Sequence, residues 1–136
     1  MNYFRRLFSG RCLICSIMTF LFPSLSFSET LPSFPLAEIV LIDVRSLGEY
    51  ESGHAEGAIH ISHEDISGMI ADSVPDQSTP IALYCRSGRR AAIALEKLKQ
   101  AGYSNVINLG GLADAEKWLA AMKERDEHAA EPTPGP

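Results

Sequence analysis

Four short apolar runs limit what this chain can become more than any other feature. They are Ile39-Val40-Leu41-Ile42, Ala58-Ile59-His60-Ile61, Ile81-Ala82-Leu83-Tyr84 and Val106-Ile107-Asn108-Leu109. None alternates cleanly between apolar and polar. A strand that is apolar at consecutive positions is covered on both faces, as in a parallel sheet under crossover helices. Between the runs the period changes. Residues 47–52 suit one or two helical turns, and Ile66, Met69 and Ile70 share one side of a helix over 63–72. Ala91, Ala94, Leu95 and Leu98 recur at i, i+3, i+4 and i+7, with Gly102 as the stop. Gly110-Gly111 reads as a turn, after which Ala115, Trp118, Leu119 and Met122 mark the last helix. This alternation predicts an α/β fold: a single domain over residues 38–125, with a mostly parallel central sheet flanked by helices on both faces.

The flanks read differently. Arg5, Arg6 and Arg11 precede every acid, residues 12–28 carry no charge, and Ser24, Ser26 and Ser28 close the apolar run. A basic start, an apolar middle and a small-residue end describe a secretory signal peptide over residues 1–28. Cleavage after Ser28, or after Ser26, gives a periplasmic or secreted protein. The alternative is an uncleaved membrane anchor, although the run is short for a span and Pro23 interrupts it. Residues 29–37, with Pro32 and Pro35, form a leading arm. Residues 126–136 form a Pro-rich tail expected to be disordered.

Without residues 1–28, nine basic residues face seventeen acidic ones, a net charge of −8. That balance argues against nucleic acid as a partner, because nucleic-acid binding needs a positive surface to displace counterions. Cys12 and Cys15 lie far from any histidine pattern that could complete a metal site, and they leave with the signal peptide. One cysteine remains. Cys85 is either an inert buried thiol or a free reactive one.

Its setting favours reactivity. Cys85 follows a buried strand and precedes a helix, and ligand sites in open parallel sheets gather at the carboxyl ends of strands. The loop Cys85-Arg86-Ser87-Gly88-Arg89-Arg90 can curl so that several backbone N–H groups point inward, Gly88 supplying the backbone freedom. Such a nest binds anions and stabilises a thiolate. An ordinary cysteine of pKa about 8.5 is ~3% ionised at pH 7, and a drop of two units makes it about three-quarters ionised. Three of the nine basic residues, Arg86, Arg89 and Arg90, fall in this loop. A positive site in a negative protein suits a small dianion.

The Cys85–Ala91 segment resembles the active-site loop of the rhodanese (sulfurtransferase) family. The resemblance extends to Leu41-Ile42-Asp43-Val44-Arg45 with Glu49-Tyr50, to residues 53–61, and to Asn108-Leu109-Gly110-Gly111-Leu112 with Trp118. Ala55-Glu56 departs from the family's usual Ile-Pro. The resemblance implies that Cys85 attacks the outer sulfur of thiosulfate or a related persulfide or polysulfide. A Cys85 persulfide forms and passes its sulfur to cyanide or a thiol, a protein thiol included. It implies that the backbone of residues 86–90 holds the anionic donor, and that Arg86 and Arg90 add charge, with Arg90 turning back over the loop. Asp43, Arg45 and His54 are implied as structural contacts near the site. No metal and no organic cofactor are implied, and the protein is expected to be a monomer.

Two readings remain beside this one. A non-catalytic sulfur carrier or binding module shares the fold. A phosphatase or arsenate reductase of the same fold is less favoured: it needs Cys-x5-Arg, whereas here Ala91 stands in the arginine's place and Tyr84 precedes the cysteine.

Overall fold

A computed structural model describes residues 34–130; the expected signal peptide, most of the leading arm and the last six residues lie outside that range. The chain runs through a 3-10 turn (Leu36–Glu38), β1 (Val40–Asp43), α1 (Leu47–Glu51), β2 (Ile59–His60) and α2 (Ile66–Ser73). It continues through β3 (Ile81–Cys85), α3 (Arg89–Gln100), β4 (Val106–Gly111) and α4 (Leu112–Ala130). The four strands form one sheet in the order β2-β1-β3-β4, and every pairing is parallel.

All five residues of β3 are buried, which is why the run carries no polar alternation. Its side chains nevertheless serve two cores. Ile81, Leu83 and Cys85 join Ile42 and Val44 under α2 and α3, where they meet Ile66, Ile70, Ala91, Ala94 and Leu98. Ala82 and Tyr84 face the other way, with Leu41, toward Ala115, Leu119 and Trp118 of α4. Helices therefore cover both faces. Cys85, by its place in this alternation, points into the layer that holds α3.

Three local features differ from the sequence expectation. Met69 is half exposed while Ile66 and Ile70 are buried, so α2 presents only its i, i+4 pair to the core. Gly110 and Gly111 are the end of β4 rather than a free turn. Gly110 takes φ +94°, and Gly111 still pairs with Cys85 across an irregularity in the ladder. The helix α4 runs through residues 126–130, where a disordered tail was expected. Asp126 has a reason to be ordered: its carboxylate accepts the Leu36 N–H at 2.7 Å, and Arg125 donates to the Phe34 carbonyl at 2.7 Å. These bonds tie the end of the leading arm to the last helix, and Leu36 packs on the α4 core.

The topology locates the site. From β1 the chain passes to β2 on one side, and from β3 it passes to β4 on the other, while β1 and β3 are neighbours. Such a reversal opens a crevice at the strands' carboxyl ends. Asp43 ends β1 and Cys85 ends β3. A cavity of about 220 Å³ among Phe34, Ile39, Pro80 and Val106 lies at the opposite, amino end of the sheet.

Candidate active site

Cys85 is a free, buried thiol, 1% exposed. The loop after it does what a Gly-containing strand-to-helix connection allows. Gly88, the residue before α3, adopts φ +84°, and its N–H donates to Cys85 Sγ at 3.1 Å. Burial pushes the thiol pKa up, but the backbone N–H groups of Ser87, Ala91, Arg90 and Gly88 outweigh it, and the net shift is downward. The four donors belong to the loop and the first turn of α3, where N–H groups have no helical partner of their own. They favour negative charge on sulfur and on any group bonded to it.

The loop's shape is fixed from behind by β4. Asn108 Nδ2 donates to the Gly88 carbonyl at 3.0 Å, and Asn108 Oδ1 accepts the Gly110 N–H at 2.9 Å. Asp114, in the first turn of α4, accepts the Gly111 N–H at 2.9 Å. The backbones approach so closely that a Cβ on Gly111 would stand 2.9 Å from the Arg86 carbonyl oxygen. Asn108 and Asp114 were assigned no role from sequence. Asn108 lay inside a recognised segment, but its target is twenty residues away, and nothing local betrays it.

The three arginines behave differently. Arg86 and Arg89 are exposed and make no ion pair or side-chain hydrogen bond among the described residues. Arg90 was expected to turn back over the loop and lend its charge to the donor. Its guanidinium forms a fork with Glu49 of α1, Nη1 to Oε2 at 2.6 Å and Nη2 to Oε1 at 2.8 Å. The Arg90 bonds hold the Glu49 carboxyl far below the ordinary carboxylate range, and the Ser46 backbone and hydroxyl add to this. Ser46 and Glu49 form a capping box at the start of α1, a Ser-x-x-Glu pattern legible in the sequence. The Glu49–Arg90 pairing was not legible.

Asp43 and Arg45 form a buried pair. Arg45 Nη2 reaches Asp43 Oδ2 at 2.6 Å and the Gly53 carbonyl at 2.6 Å, and its Nε lies within 3.0 Å of both carboxylate oxygens. The guanidinium stands 5.7 Å from the centroid of the Tyr84 ring. Burial first of all pushes the Tyr84 pKa up to about 12, so its hydroxyl stays neutral and accepts the Ala55 N–H at 3.0 Å. This network ties the end of β1 to the loop holding Gly53 and Ala55, beside Cys85. His54 is exposed, stacked on Tyr50 at 3.8 Å, with Nδ1 bonded to the Tyr50 carbonyl. His60 is half-buried and bonds the Arg45 carbonyl through Nε2 at 2.9 Å. Among the described residues no cluster of His, Cys, Asp and Glu could hold a metal ion. No described helix is long and apolar enough to cross a membrane.

Comparison with known proteins bears on the same region. The family model of the rhodanese-like domain matches residues 34–121. The thiosulfate sulfurtransferase PspE of Escherichia coli (strain K12) is 41% identical over 73 residues, covering 54% of this chain and 70% of its own. The thiosulfate sulfurtransferase GlpE of Pseudoalteromonas translucida is 28% identical over 106 residues, 78% of this chain and 97% of its own. Among solved structures, a rhodanese with anions from E. coli superposes with a TM-score of 0.54 at 39% identity, covering 56% of this chain and 89% of that one.

Proposed function

The chain belongs to the rhodanese-like domain family, and from that membership we propose that it is a sulfurtransferase that carries sulfane sulfur on Cys85, with thiosulfate or a related persulfide as donor. The observation that carries this reading is the Cys85 cradle: a buried thiol with the Gly88 N–H 3.1 Å from its sulfur and a net downward pKa. A buried cysteine without such donors would shift the other way.

The chemistry follows from the donors. The Cys85 thiolate attacks the outer sulfur of thiosulfate. The sulfur–sulfur bond of the donor breaks, and sulfite leaves with the electron pair. The persulfide keeps the cysteine's place, and its terminal sulfur enters the same ring of N–H groups. Fixed donors lower the barrier most where charge develops, and here they need no reorganisation. A thiol or cyanide then attacks the terminal sulfur and the Cys85 thiolate departs. Arg86 and Arg89, exposed and unpaired at the mouth, attract the anionic donor. The pair Asp43–Arg45 and His54 hold the neighbouring loop and take no part in bond making. Export through residues 1–28 places this activity outside the cytoplasm.

The test is thiocyanate formation from thiosulfate and cyanide, with Cys85→Ser alongside, and intact mass after thiosulfate alone. Turnover and a one-sulfur adduct, both absent from Cys85→Ser, are expected. An adduct without turnover would favour a carrier that serves another protein. Neither signal would remove thiosulfate as donor.

A further inference from the structure

The last two strands of the chain fall out of step beside the site. Leu83 pairs with Asn108 and Cys85 pairs with Gly111, so β4 advances three residues while β3 advances two. The extra residue is a bulge, and bulges next to active sites re-aim side chains. Here the side chain is that of Asn108. Its Oδ1 accepts the N–H of Gly110, two residues on, at 2.9 Å, an Asx turn that fixes the carboxamide. Its Nδ2 faces the Cys85 loop and donates to the Gly88 carbonyl at 3.0 Å. Gly88 is therefore held from two sides. Its N–H donates to Cys85 Sγ at 3.1 Å, and its carbonyl accepts Asn108 Nδ2 together with the Ala92 N–H, the latter at 2.8 Å. A Gly88 carbonyl that drifts from β4 carries the N–H of the same residue away from the sulfur.

We propose that Asn108 is a positioning residue for Cys85: from the bulge of β4 it fixes Gly88, so that the Gly88 N–H stays aimed at the sulfur. This rests on Cys85 being the nucleophile and extends that reading to a residue that bonds the loop and not the sulfur. The competing role is plain support of the fold. Asn108 is exposed, and water can replace its Nδ2 as a donor to the carbonyl. Water cannot tie that carbonyl to β4. If the bond alone matters, loss of Asn108 leaves the surroundings of the sulfur unchanged. If the tie matters, the sulfur loses a donor, while the Ala92 bond still starts α3. The charged groups around the loop are Arg86 and Arg89 within it, Arg90 paired with Glu49 of α1, the Asp43–Arg45 pair at the end of β1, and Asp114 of α4. Asn108 is neutral, so a neutral replacement changes none of these charges.

The measurement is the pH profile of iodoacetamide alkylation in the full protein, followed at the Cys85 peptide by mass, with Cys85→Ser as blank. The variants are Asn108→Ala, Asn108→Ser and Asn105→Ala. Asn105 is the matched control: it precedes β4, and its Nδ2 also donates to a carbonyl, that of Ser78 at 2.8 Å, at the amino end of the sheet. Two or three backbone N–H bonds lower a carboxylate by about two units, so loss of one donor is expected to raise the Cys85 midpoint by about 0.5–1 pH unit in Asn108→Ala. Asn108→Ser keeps a hydroxyl for the Gly110 N–H but is one atom shorter and gives up the bond to Gly88, so it reads the same sign if Asn108→Ala fails to fold. Asn105→Ala should leave the midpoint in place. A midpoint that falls or stays put in the Asn108 variants would overturn the proposal, and so would an equal rise in Asn105→Ala. Alkylation needs no sulfur donor. A wild-type protein that takes no sulfur from thiosulfate would remove that donor, and the midpoints would still decide the role of Asn108.

Discussion

Gly88→Ala isolates the part of the site that depends on backbone geometry alone. The residue sits at φ +84°, in the left-handed region. An L-residue there costs about 1–2 kcal/mol. The new Cβ would also stand 3.2 Å from the Gly110 Cα and 3.7 Å from Asn108 Oδ1. The nearer neighbour is backbone, and it cannot rotate away. Asn108 pins both segments, bonding the Gly88 carbonyl and the Gly110 N–H. Forcing a methyl into such a contact costs about 1–3 kcal/mol. Together the two effects amount to about 2–5 kcal/mol, enough to lower Tm by roughly 10 °C or more in a domain of this size. The second consequence is chemical. If the chain relaxes by turning φ negative, the residue 88 N–H swings off Cys85 Sγ and the thiol pKa rises. Urea unfolding and the pH profile of alkylation read the two effects separately. A variant within about 0.5 kcal/mol of wild type, alkylated with an unchanged profile, would refute the claim that this glycine shapes the cradle.

Gly68→Ala in α2 is the contrast: its Cβ meets nothing within 4 Å and the residue is exposed, so stability should rise by about 0.5–1 kcal/mol in the same urea experiment. Arg45→Met leaves the fully buried Asp43 carboxylate without its partner and should cost about 3–5 kcal/mol by urea unfolding, far more than the double change Asp43→Asn with Arg45→Met. The Arg90 pairing depresses the Glu49 pKa, so the stability that pair contributes is present above pH 4.5 and lost as the pH falls below it. The half-exposed pair is worth at most about 1 kcal/mol, so unfolding curves of wild type and Glu49→Gln should differ slightly at pH 7 and converge in acid. Truncation after Arg125 removes the acceptor for the Leu36 N–H, so amide exchange at residues 36–38 should accelerate while the β3 amides keep their protection.

The alternation of strands and helices, the parallel sheet and the placement of Cys85 at a strand end were all legible in the chain. The reason is local: the continuous apolar run of β3 means coverage on both faces, and a cysteine followed by a glycine-containing loop and an Ala-rich helix can be read within ten residues. The resemblance of residues 41–45, 53–61 and 85–91 to one family carried the rest of the fold. Short-range devices such as the Ser46–Glu49 capping box share this legibility, because their partners lie within one helical turn.

What only the tertiary structure decided is where long polar side chains spend their bonds. Arg86, Arg89 and Arg90 are equivalent in a sequence, yet two stand free at the mouth and the third is forked by a carboxylate 41 residues away. The support that Asn108 and Asp114 give the loop depends on β4 pairing with β3, and the order of residues 126–130 depends on the leading arm lying against α4. A hydrogen bond depends on separation and angle in space, and spacing along the chain constrains these only within a turn or a strand. The apolar pattern therefore determines the layers, while packing the layers together selects which charges meet.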